Sequence, residues 1–321
     1  MDTIAILSSP ESFHNKNEME KVRNVIKEKG SGIIHYEVKS FMDIGEALFR
    51  FNECNITAMV IIGGQALSSA TFEYIIEKKP FGNVQIPLSV LSSDDERFIS
   101  QSFGATSSNP YQDLKHILQK HKAGSLLNHL VKVPLIKVEG ALHVGKLYGL
   151  YFCAGEITNW RSLFKRTLYK NGLRKLIQNY STIFSLLYRA YISSKRSDNI
   201  GNMIRINRNQ RGAVVGSYFI VLLSSLDWIF LGTKFPIKKL ASTLNFLSVE
   251  NTKDAIMNTG KEMLKGYYGE RALPGHVVTE IEHARLVFNK SFVVDGCFYE
   301  TGLNGELLIS KTENINFIHL G

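Results

Sequence analysis

The pattern of apolar residues changes near residue 126, and this change limits what the chain can fold into. Before it, short apolar strands alternate with amphipathic helices; after it, strand-like runs dominate. Strand–helix alternation is typical of a parallel sheet with helices on its faces, where sites lie at the carboxyl ends of the strands. The sequence therefore predicts an α/β protein of two domains. Residues 1–125 form an α/β domain with a parallel sheet, and residues 126–305 form a mostly antiparallel, β-rich domain.

The second part of the chain has its own expected elements. Strand-like runs cover 131–138, 146–154, 203–207, 213–223, 277–288 and 292–294. Two long helices are expected near 172–194 and 252–265. Residues 306–321 alternate apolar and polar side chains, as a strand does. Either domain could hold this closing strand, and its return to the N-terminal domain is our prediction.

A glycine pair marks the first candidate site. Residues 60–71 combine an apolar β-branched run, Gly63-Gly64, and a helical pattern that we expect to begin at Ser68 or Ser69. Glycines let backbone approach an anion closely, and a helix start offers unpaired N–H groups at a positive dipole end. The junction thus suits a phosphate group. The alternative is a tight strand-to-helix turn that binds nothing. Gln65 follows the glycines, so the junction itself supplies no charged ligand for a metal.

The net charge of +9 is concentrated in one segment of the chain. Residues 132–211 hold 15 Lys and Arg against 3 Asp and Glu, so they carry a net +12. Such a field favours phosphate-rich partners, either anionic lipid headgroups or nucleic acid. Residues 160–170 interleave cations with apolar and aromatic side chains, which is typical of a helix lying on a membrane surface. The candidate anion- and membrane-binding residues are Arg161, Lys165, Arg166 and Lys170.

Two other interpretations of this basic segment stay open. It could be a solvated basic face around an aromatic stripe packed into the core. Nucleic acid is the less favoured partner, because no recognition motif accompanies the charge. The N-terminus lacks the pattern of a signal peptide, and Cys54, Cys153 and Cys297 are too far apart for a disulfide framework or a metal motif. We therefore expect a cytoplasmic protein that can lie at the inner membrane face, and we assign no metal ligands.

Short motifs follow each other in an order that has a known counterpart. They are Ser9-Pro10, Gly45-Glu46-Ala47, Gly63-Gly64-Gln65-Ala66-Leu67, the segment 87–95, the segment 241–246, and Asp295-Gly296-Cys297. This order resembles the diacylglycerol kinase catalytic family, the bacterial lipid kinases and sphingosine kinases related to NAD kinases. In that family the corresponding motifs are an Asn-Pro turn, Gly-Asp-Ala, Gly-Gly-Asp-Gly-Thr, Pro-Leu-Gly-Thr-Gly-Asn-Asp, Asp-Gly-x-Leu-Asp-Val, and Asp-Gly-Glu.

The resemblance implies a two-domain lipid-kinase fold and a set of site residues. Residues 1–125 would bind a nucleotide and residues 126–305 a lipid substrate. It implies ATP and Mg²⁺ as cofactors if the protein is active, and a diacylglycerol- or sphingoid-like hydroxyl as acceptor. The nucleotide-binding candidates carried over from the motifs are Gly63, Gly64, Gln65, Ser92, Ser93 and Asp94. The simpler interpretation of 92–95 is a cluster that caps the following helix.

The departures from the family all remove an acid. Gln65 replaces the signature Asp, Asn245 replaces an acid that helps to place metal, and Cys297 replaces the Glu proposed as base. Phosphoryl transfer depends on Mg²⁺ to neutralise developing charge, and a neutral amide supplies no charge to that ion. The sequence therefore predicts a divergent member that binds lipid or nucleotide at a membrane surface with weakened or absent kinase activity.

Two alternatives to this function remain. The protein could be an active lipid kinase whose acids come from other positions, with Asp295 and Glu300 as weak catalytic candidates and Asp94 as a third acid. Asp295 precedes a glycine, so it also suits a turn between strands. Otherwise the protein could be a non-catalytic subunit that binds a protein partner or a second copy of itself.

Overall fold

The structure is a computed structural model, and it divides the chain into two units. Unit 1 comprises Met1–Val133 and Asn314–Gly321, and unit 2 comprises Pro134–Glu313. The residues that the structure describes are 3–13, 16–29, 31–92, 98–105, 109–159, 203–209, 212–229, 233–234, 243–265 and 274–320. The helix expected near 172–194 lies outside these residues.

Unit 1 alternates strands and helices, as the sequence predicts. Its elements in chain order are β1 (Ile4–Ser8), α1 (Lys16–Lys29), β2 (Ile33–Glu37), α2 (Asp43–Glu53), β3 (Ala58–Gly63), α3 (Gln65–Lys78), β4 (Leu88–Ser92), α4 (Phe98–Ser102) and α5 (Pro110–Lys122). The strands pair in parallel in the order β2-β1-β3-β4. Phe317, from the last strand of the chain, pairs in parallel with Leu88 of β4.

The central strands of unit 1 are apolar because both of their faces are covered. All residues of β1, β3 and β4 are buried. One face packs against α1 and α5, where Ile6, Val22 and Leu114 belong to a single core cluster. A strand buried on both faces is an unbroken apolar run, which is why the sequence pattern located these strands closely.

Unit 2 is built from antiparallel strands. Its strands are β5 (Leu130–Glu139), β6 (Lys146–Gly149), β7 (Tyr151–Ala154), β8 (Met203–Arg208), β9 (Ala213–Ser224), β10 (Trp228–Ile229), β11 (Thr233–Lys234), β12 (Leu244–Glu250), β13 (His276–Ile281), β14 (His283–Val287), β15 (Ser291–Val294), β16 (Cys297–Glu300) and β17 (Glu306–Ile318). One helix, α6 (Lys253–Leu264), lies between β12 and β13. β5 and β17 contribute residues to both units.

The main sheet of unit 2 has the strand order β16-β15-β7-β9-β8-β14-β17. β12 pairs with both β9 and β13, and β5 pairs with β6 and β17. Alternate residues of these strands fill one apolar core, which includes Phe152, Val221, Phe246, Leu286 and Leu307. The predicted fold class is confirmed: parallel strands follow the N-terminus and antiparallel strands make up the later part of the chain.

The expected strand over 146–154 is broken in the structure. β6 ends at Gly149 and β7 begins at Tyr151, with Leu150 between them. The backbone N–H groups at this break donate to the side chain of Asp295 instead of to a neighbouring strand. No helix among the described residues is long and apolar enough to cross a membrane.

Candidate functional site

The carboxyl ends of four parallel strands lie together in unit 1. These ends are Ser8 of β1, Glu37 of β2, Gly63 of β3 and Ser92 of β4. Ser8 pairs with Glu37, and Gly63 pairs with Ser92. The four residues therefore form the C-terminal edge of the sheet, where its parallel strands end. This edge is where α/β sheets place their ligands. Three of its four residues are neutral, and two of those carry hydroxyl groups.

The Gly63-Gly64 junction has the geometry of a strand that turns directly into a helix. Gly64 is the N-cap of α3, with extended backbone (φ −77°, ψ 172°), and its carbonyl accepts from the Leu67 N–H at 3.1 Å. A Cβ atom on Gly63 would lie 2.6 Å from Leu67 Cδ2, so a larger residue here would force the buried Leu67 side chain to shift. The turn therefore has a structural reason, whether or not its backbone N–H groups also hold an anion.

The start of α3 was predicted wrongly. The helix begins at Gln65 and not at Ser68 or Ser69. Glutamine, alanine and leucine are all good helix formers, and Leu67 is fully buried, so the first turn forms at once after the glycines. Gln65 is itself buried in that first turn, and Ser68 lies inside the helix.

Ser92 is the described member of the second nucleotide-binding candidate set. It is buried at the end of β4, and the Ser100 hydroxyl donates to its Oγ at 3.4 Å. Ser93 and Asp94 lie outside the described residues. Strand pairing thus brings Ser92 and Gly63 together at this edge, and their role as nucleotide-binding residues stays a prediction.

The structure adds a polar network that the sequence analysis missed. Ser8 Oγ lies 2.7 Å from His35 Nε2, and His35 Nδ1 lies 4.0 Å from Glu37 Oε1. Arg23 of α1 donates two hydrogen bonds to the Glu37 carboxylate, both at 2.7 Å. The sequence does contain a signal for this network, since polar residues close two neighbouring strands. Parallel strands end on the same side of a sheet, so these residues could have been predicted to meet.

Burial and charge set the protonation of this network. Desolvation lowers the pKa of His35, and nearby Arg23 lowers it further against the opposing pull of Glu37. The hydrogen bonds from Arg23 lower the pKa of Glu37. His35 is therefore neutral and Glu37 is ionised near pH 7. The hydrogen bond between His35 and Ser8 thus adds no charge to this edge.

Asp295 in unit 2 is a turn residue with a buried carboxylate. It lies with Gly296 between β15 and β16, where Val294 pairs with Cys297, and its φ is +47°. Two residues with positive φ between paired strands make a hairpin turn for which Asp-Gly is well suited. The turn interpretation of Asp295 therefore describes its backbone.

The side chain of Asp295 is held by the break between β6 and β7. The Leu150 N–H donates to Oδ1 at 2.8 Å and to Oδ2 at 3.0 Å, and the Tyr151 N–H donates to Oδ1 at 2.9 Å. A Cβ on Gly149 would lie 2.6 Å from Oδ2, so only glycine allows this approach. Burial raises the pKa of Asp295 to about 7, although the two backbone hydrogen bonds act in the opposite direction.

The neighbouring β16 carries the other catalytic candidates. Cys297 is half-buried at its start and Glu300 is exposed at its end. Burial raises the pKa of Tyr299, and a hydrogen bond with Cys297 and the nearby Asp295 carboxylate contribute to the same direction. The resulting cluster of Asp295, Cys297 and Tyr299 leaves Glu300 as the solvent-facing acid of this hairpin.

The side chain of Asn245 lies in the core of unit 2. It is buried in β12, where its amide Nδ2 donates to the carbonyl oxygen of Leu226 at 3.0 Å. The Ser224 hydroxyl contacts the same carbonyl at 3.1 Å. Two donors thus converge on one buried acceptor, and the position is built for an amide.

The basic residues proposed to bind a membrane are not among those that the structure describes. The segment 160–202 lies outside the described residues, and it contains Arg161, Lys165, Arg166 and Lys170. Within the part of the chain that is described, no three His, Cys, Asp or Glu side chains converge as a metal site would require. The membrane residues therefore stay a prediction from the sequence.

Comparison with known proteins identifies the fold of this chain. No protein-family model matches the sequence, and a comparison with curated proteins finds no match. Solved structures do match. A diacylglycerol kinase from Bacillus anthracis str. Sterne is 10% identical with a TM-score of 0.62, over 99% of this chain and 97% of that chain. Two more structures from that strain, provisionally assigned as diacylglycerol kinases, are 12% and 11% identical with TM-scores of 0.65 and 0.64.

The chain has the fold of these diacylglycerol kinases. The likeness runs over nearly the whole chain, which agrees with the order of motifs seen in the sequence. At this level of identity the diacylglycerol kinase fold says nothing about chemistry. The chemistry of this chain depends on its own side chains at these positions, among them Gln65, Asn245, Asp295 and Cys297.

Proposed function

We propose that this chain is a divergent protein of the diacylglycerol kinase fold that binds nucleotide or lipid at a membrane surface, with weak or absent phosphoryl transfer. The fold supports a lipid-kinase-like ancestry of the site. The neutral residues at three acid positions support the loss of ordinary kinase chemistry. Lipid or an anionic membrane is the proposed partner, and ATP is the proposed nucleotide.

The hydrogen bond of Asn245 is the observation that carries this proposal. Its Nδ2 donates to the Leu226 carbonyl in a buried setting. An aspartate there would set a carboxylate oxygen against the carbonyl oxygen with no proton between them. Leaving a buried acceptor opposed by charge costs at least about 1–3 kcal/mol. The position therefore suits an amide, and a metal-placing acid would have to displace this contact.

The edge of the unit 1 sheet fits phosphate better than it fits Mg²⁺. The start of α3 after Gly64 offers backbone N–H groups, which bind anions without a charged side chain. Mg²⁺ in nucleotide sites is held by one or two carboxylates together with the phosphates. Glu37 is the acid at this edge among the described residues, and Arg23 already engages both of its oxygens. A metal ion at this edge would have to compete with that guanidinium.

Nucleotide binding is tested by calorimetric titration of the full chain with ATP, once with Mg²⁺ and once with EDTA. The proposal expects binding whose affinity is nearly the same in both, because Glu37, the acid at the four described strand ends, is already bound by Arg23. A Ser92→Ala variant weakens binding if the hydroxyl edge contacts the phosphates. Binding that strictly requires Mg²⁺ would contradict the proposed site.

Activity is tested by ATP-dependent phosphorylation of diacylglycerol and sphingoid bases in mixed vesicles. Kinases commonly turn over at about 1–100 s⁻¹. The proposal expects turnover far below this range. A rate within it would support the active-kinase alternative, for which Glu300 is the exposed acid of the β15–β16 hairpin. The carboxylate of Asp295 is less suited to this role, since it is buried and two backbone N–H groups already donate to it.

Membrane binding is tested by vesicle flotation. We expect binding that grows with the fraction of anionic lipid and falls with added salt, because screening shortens the range of the basic field of residues 132–211. A fourfold Ala substitution at Arg161, Lys165, Arg166 and Lys170 should reduce it. Lipid-independent, salt-independent flotation would exclude an electrostatic membrane surface and would favour the partner-binding alternative.

A further inference from the structure

We propose that an anion bound at the C-terminal edge of the unit 1 sheet brings a proton onto His35, so that binding strengthens as the pH falls. This inference rests on the proposed nucleotide-binding function and adds a regulation of that same site. It depends on the position of one histidine among three polar side chains, Ser8, Glu37 and Arg23, which come from β1, β2 and α1.

His35 reaches across β1 toward the glycine turn. Its Nε2 lies 2.7 Å from the Oγ of Ser8, the last residue of β1. Ser8 pairs with Ile62, and the Ser9 N–H donates to the Ile62 carbonyl at 3.1 Å. Ile62 directly precedes Gly63-Gly64 and the start of α3. Neighbouring strands are about 4.8 Å apart, so a charge on the ring acts on this turn at a range of about 10 Å.

The charged groups that face His35 come from α1 and from β2 and its extension. Glu37 Oε1 lies 4.0 Å from Nδ1 of the ring. Arg23 donates to both oxygens of that carboxylate at 2.7 Å, and it also donates to Glu20 at 3.0 Å. Lys39 follows the strand and, like Arg23, lowers the pKa of Glu37. Because a guanidinium already holds the acid, its negative charge is largely balanced.

The other elements beside β2 add no charge to this face. β1 (Ile-Ala-Ile-Leu-Ser) has no charged side chain. Successive side chains of a strand point to opposite faces, so Tyr36 lies on the other side of the sheet from His35. The Arg50 guanidinium of α2 lies there, 5.6 Å from the centre of the Tyr36 ring. Among the described groups on this face, His35 is therefore the one whose charge can change near neutral pH.

The protonated ring has an oxygen in front of each nitrogen. Its Nδ1–H group faces the Glu37 carboxylate at 4.0 Å, and its Nε2–H group donates to Ser8 Oγ at 2.7 Å. A serine hydroxyl can accept as well as donate, so Ser8 keeps this hydrogen bond in either protonation state of the ring. The cluster can therefore take up a proton without rearranging its side chains.

An anion supplies the charge that favours this proton. Burial lowers the pKa of His35 in the free protein, and Arg23 acts in the same direction while Glu37 opposes it. A negative charge at the Gly63-Gly64 turn favours the charged form of the ring and so raises this pKa. The coupling is reciprocal, because the protonated ring in turn attracts the anion.

Anion binding and pH are thus linked through one proton. Between the free and the bound pKa of His35, the bound protein holds more protons than the free protein, so affinity rises as the pH falls through that window. Affinity levels off once the free protein is protonated as well. Because a single proton is taken up, the affinity changes by at most about tenfold per pH unit.

The direct test is an NMR titration of the histidine rings of the full chain, with and without saturating sulfate. Sulfate is the probe because it does not itself gain or lose protons where histidine titrates. We expect sulfate to raise the pKa of His35 by about one pH unit or more. His116, which is exposed on α5, is the internal reference and should move much less.

Calorimetric titration with ATP in EDTA tests the effect on affinity. His35→Gln removes the titrating ring, and His116→Gln is the matched control. Protonation of ATP itself is common to all three proteins, so it cancels in the ratio of wild-type to variant affinity. For His35→Gln this ratio should grow on acidification below about pH 7, by up to about tenfold per pH unit, and for His116→Gln it should stay constant.

The outcomes separate this inference from the function on which it rests. A pKa of His35 that sulfate leaves unchanged would overturn the inference alone, and this measurement needs no variant to fold. ATP binding with one pH dependence in wild type and His35→Gln would do the same, as would an equal effect of His116→Gln, which would reflect net charge. Absence of ATP and sulfate binding at every pH would overturn the proposed nucleotide site and this inference with it.

Discussion

Replacing Asp295 by asparagine should stabilise unit 2 at neutral pH and remove a pH dependence. The carboxylate is buried, it has no cation partner among the described residues, and it accepts only backbone N–H groups from Leu150 and Tyr151. Asparagine keeps the Asx-Gly hairpin turn, tolerates the positive φ, and offers Oδ1 to the same two donors. The substitution therefore deletes the charge and retains the two hydrogen bonds to Oδ1, while the third, from the Leu150 N–H to Oδ2, is lost.

The magnitude follows from the pKa. Folding raises the pKa of Asp295 from an ordinary 3.8 to about 7. At about 1.4 kcal/mol per pKa unit, ionisation in the folded protein costs about 4 kcal/mol more than in the unfolded chain. This is an upper bound for the gain from asparagine, and it is a large share of the ~5–15 kcal/mol stability of a typical domain.

The sign of the pH dependence is opposite to that of a salt-bridged aspartate. Because the folded pKa lies above the unfolded one, the folded state binds more protons between about pH 4 and pH 7. The contribution of Asp295 to stability is therefore complete below pH 4 and is lost as the pH rises to 7. The asparagine variant lacks this titration, so its advantage over wild type should grow across that window and then level off.

Urea unfolding followed by circular dichroism at several pH values measures this difference. The control is Asp295→Ala, which leaves two buried N–H groups without an acceptor and should cost about 1–3 kcal/mol even near pH 4. A free-energy difference between asparagine and wild type that does not change from pH 4 to pH 8 would refute the reasoning. It would mean that the carboxylate is solvated or paired in the folded protein.

Three further predictions concern other residues of the two units. Asn245→Asp should lower the free energy of unfolding by about 1–3 kcal/mol at neutral pH, with the loss shrinking in acid as the new carboxyl gains a proton, and thermal unfolding across pH measures it. Gly63→Ala should destabilise by about 1–3 kcal/mol in urea unfolding because its Cβ overlaps a buried leucine, whereas Gly145→Ala, with nothing within 4 Å, should be nearly neutral. His35 should titrate below 6.5 in NMR spectra and should destabilise the fold as the pH falls through that range, because burial disfavours its charged form.

Sequence reasoning worked where a residue's role depends on its neighbours in the chain. The alternation of strands and helices over residues 1–125 was predicted, because each buried strand is a short apolar run and each helix carries an apolar stripe. The Asp295-Gly296 turn was readable for the same reason. The start of α3 was predicted too late in the chain, because Gln65, Ala66 and Leu67 form the first helical turn directly after the glycines.

Contacts between distant residues could not be predicted in this way. Ser8 and His35 are 27 residues apart, and only the parallel pairing of β1 with β2 brings them together. Asp295 and Leu150 are 145 residues apart, and nothing near Leu150 in the sequence signals that a carboxylate will replace a strand neighbour. Such partners follow from register and topology, which local patterns leave open.

Asn245 and Gln65 stand where the resemblance to the diacylglycerol kinase family implies acids. Asn245 bonds a buried carbonyl, and Gln65 is buried in the first turn of α3, so two of the neutral replacements are built into the fold around them. Restoring one acid alone should therefore destabilise the protein before it could help bind a metal. A gain of kinase activity from Asn245→Asp would contradict this, since it would require the Leu226 carbonyl to be released at little cost.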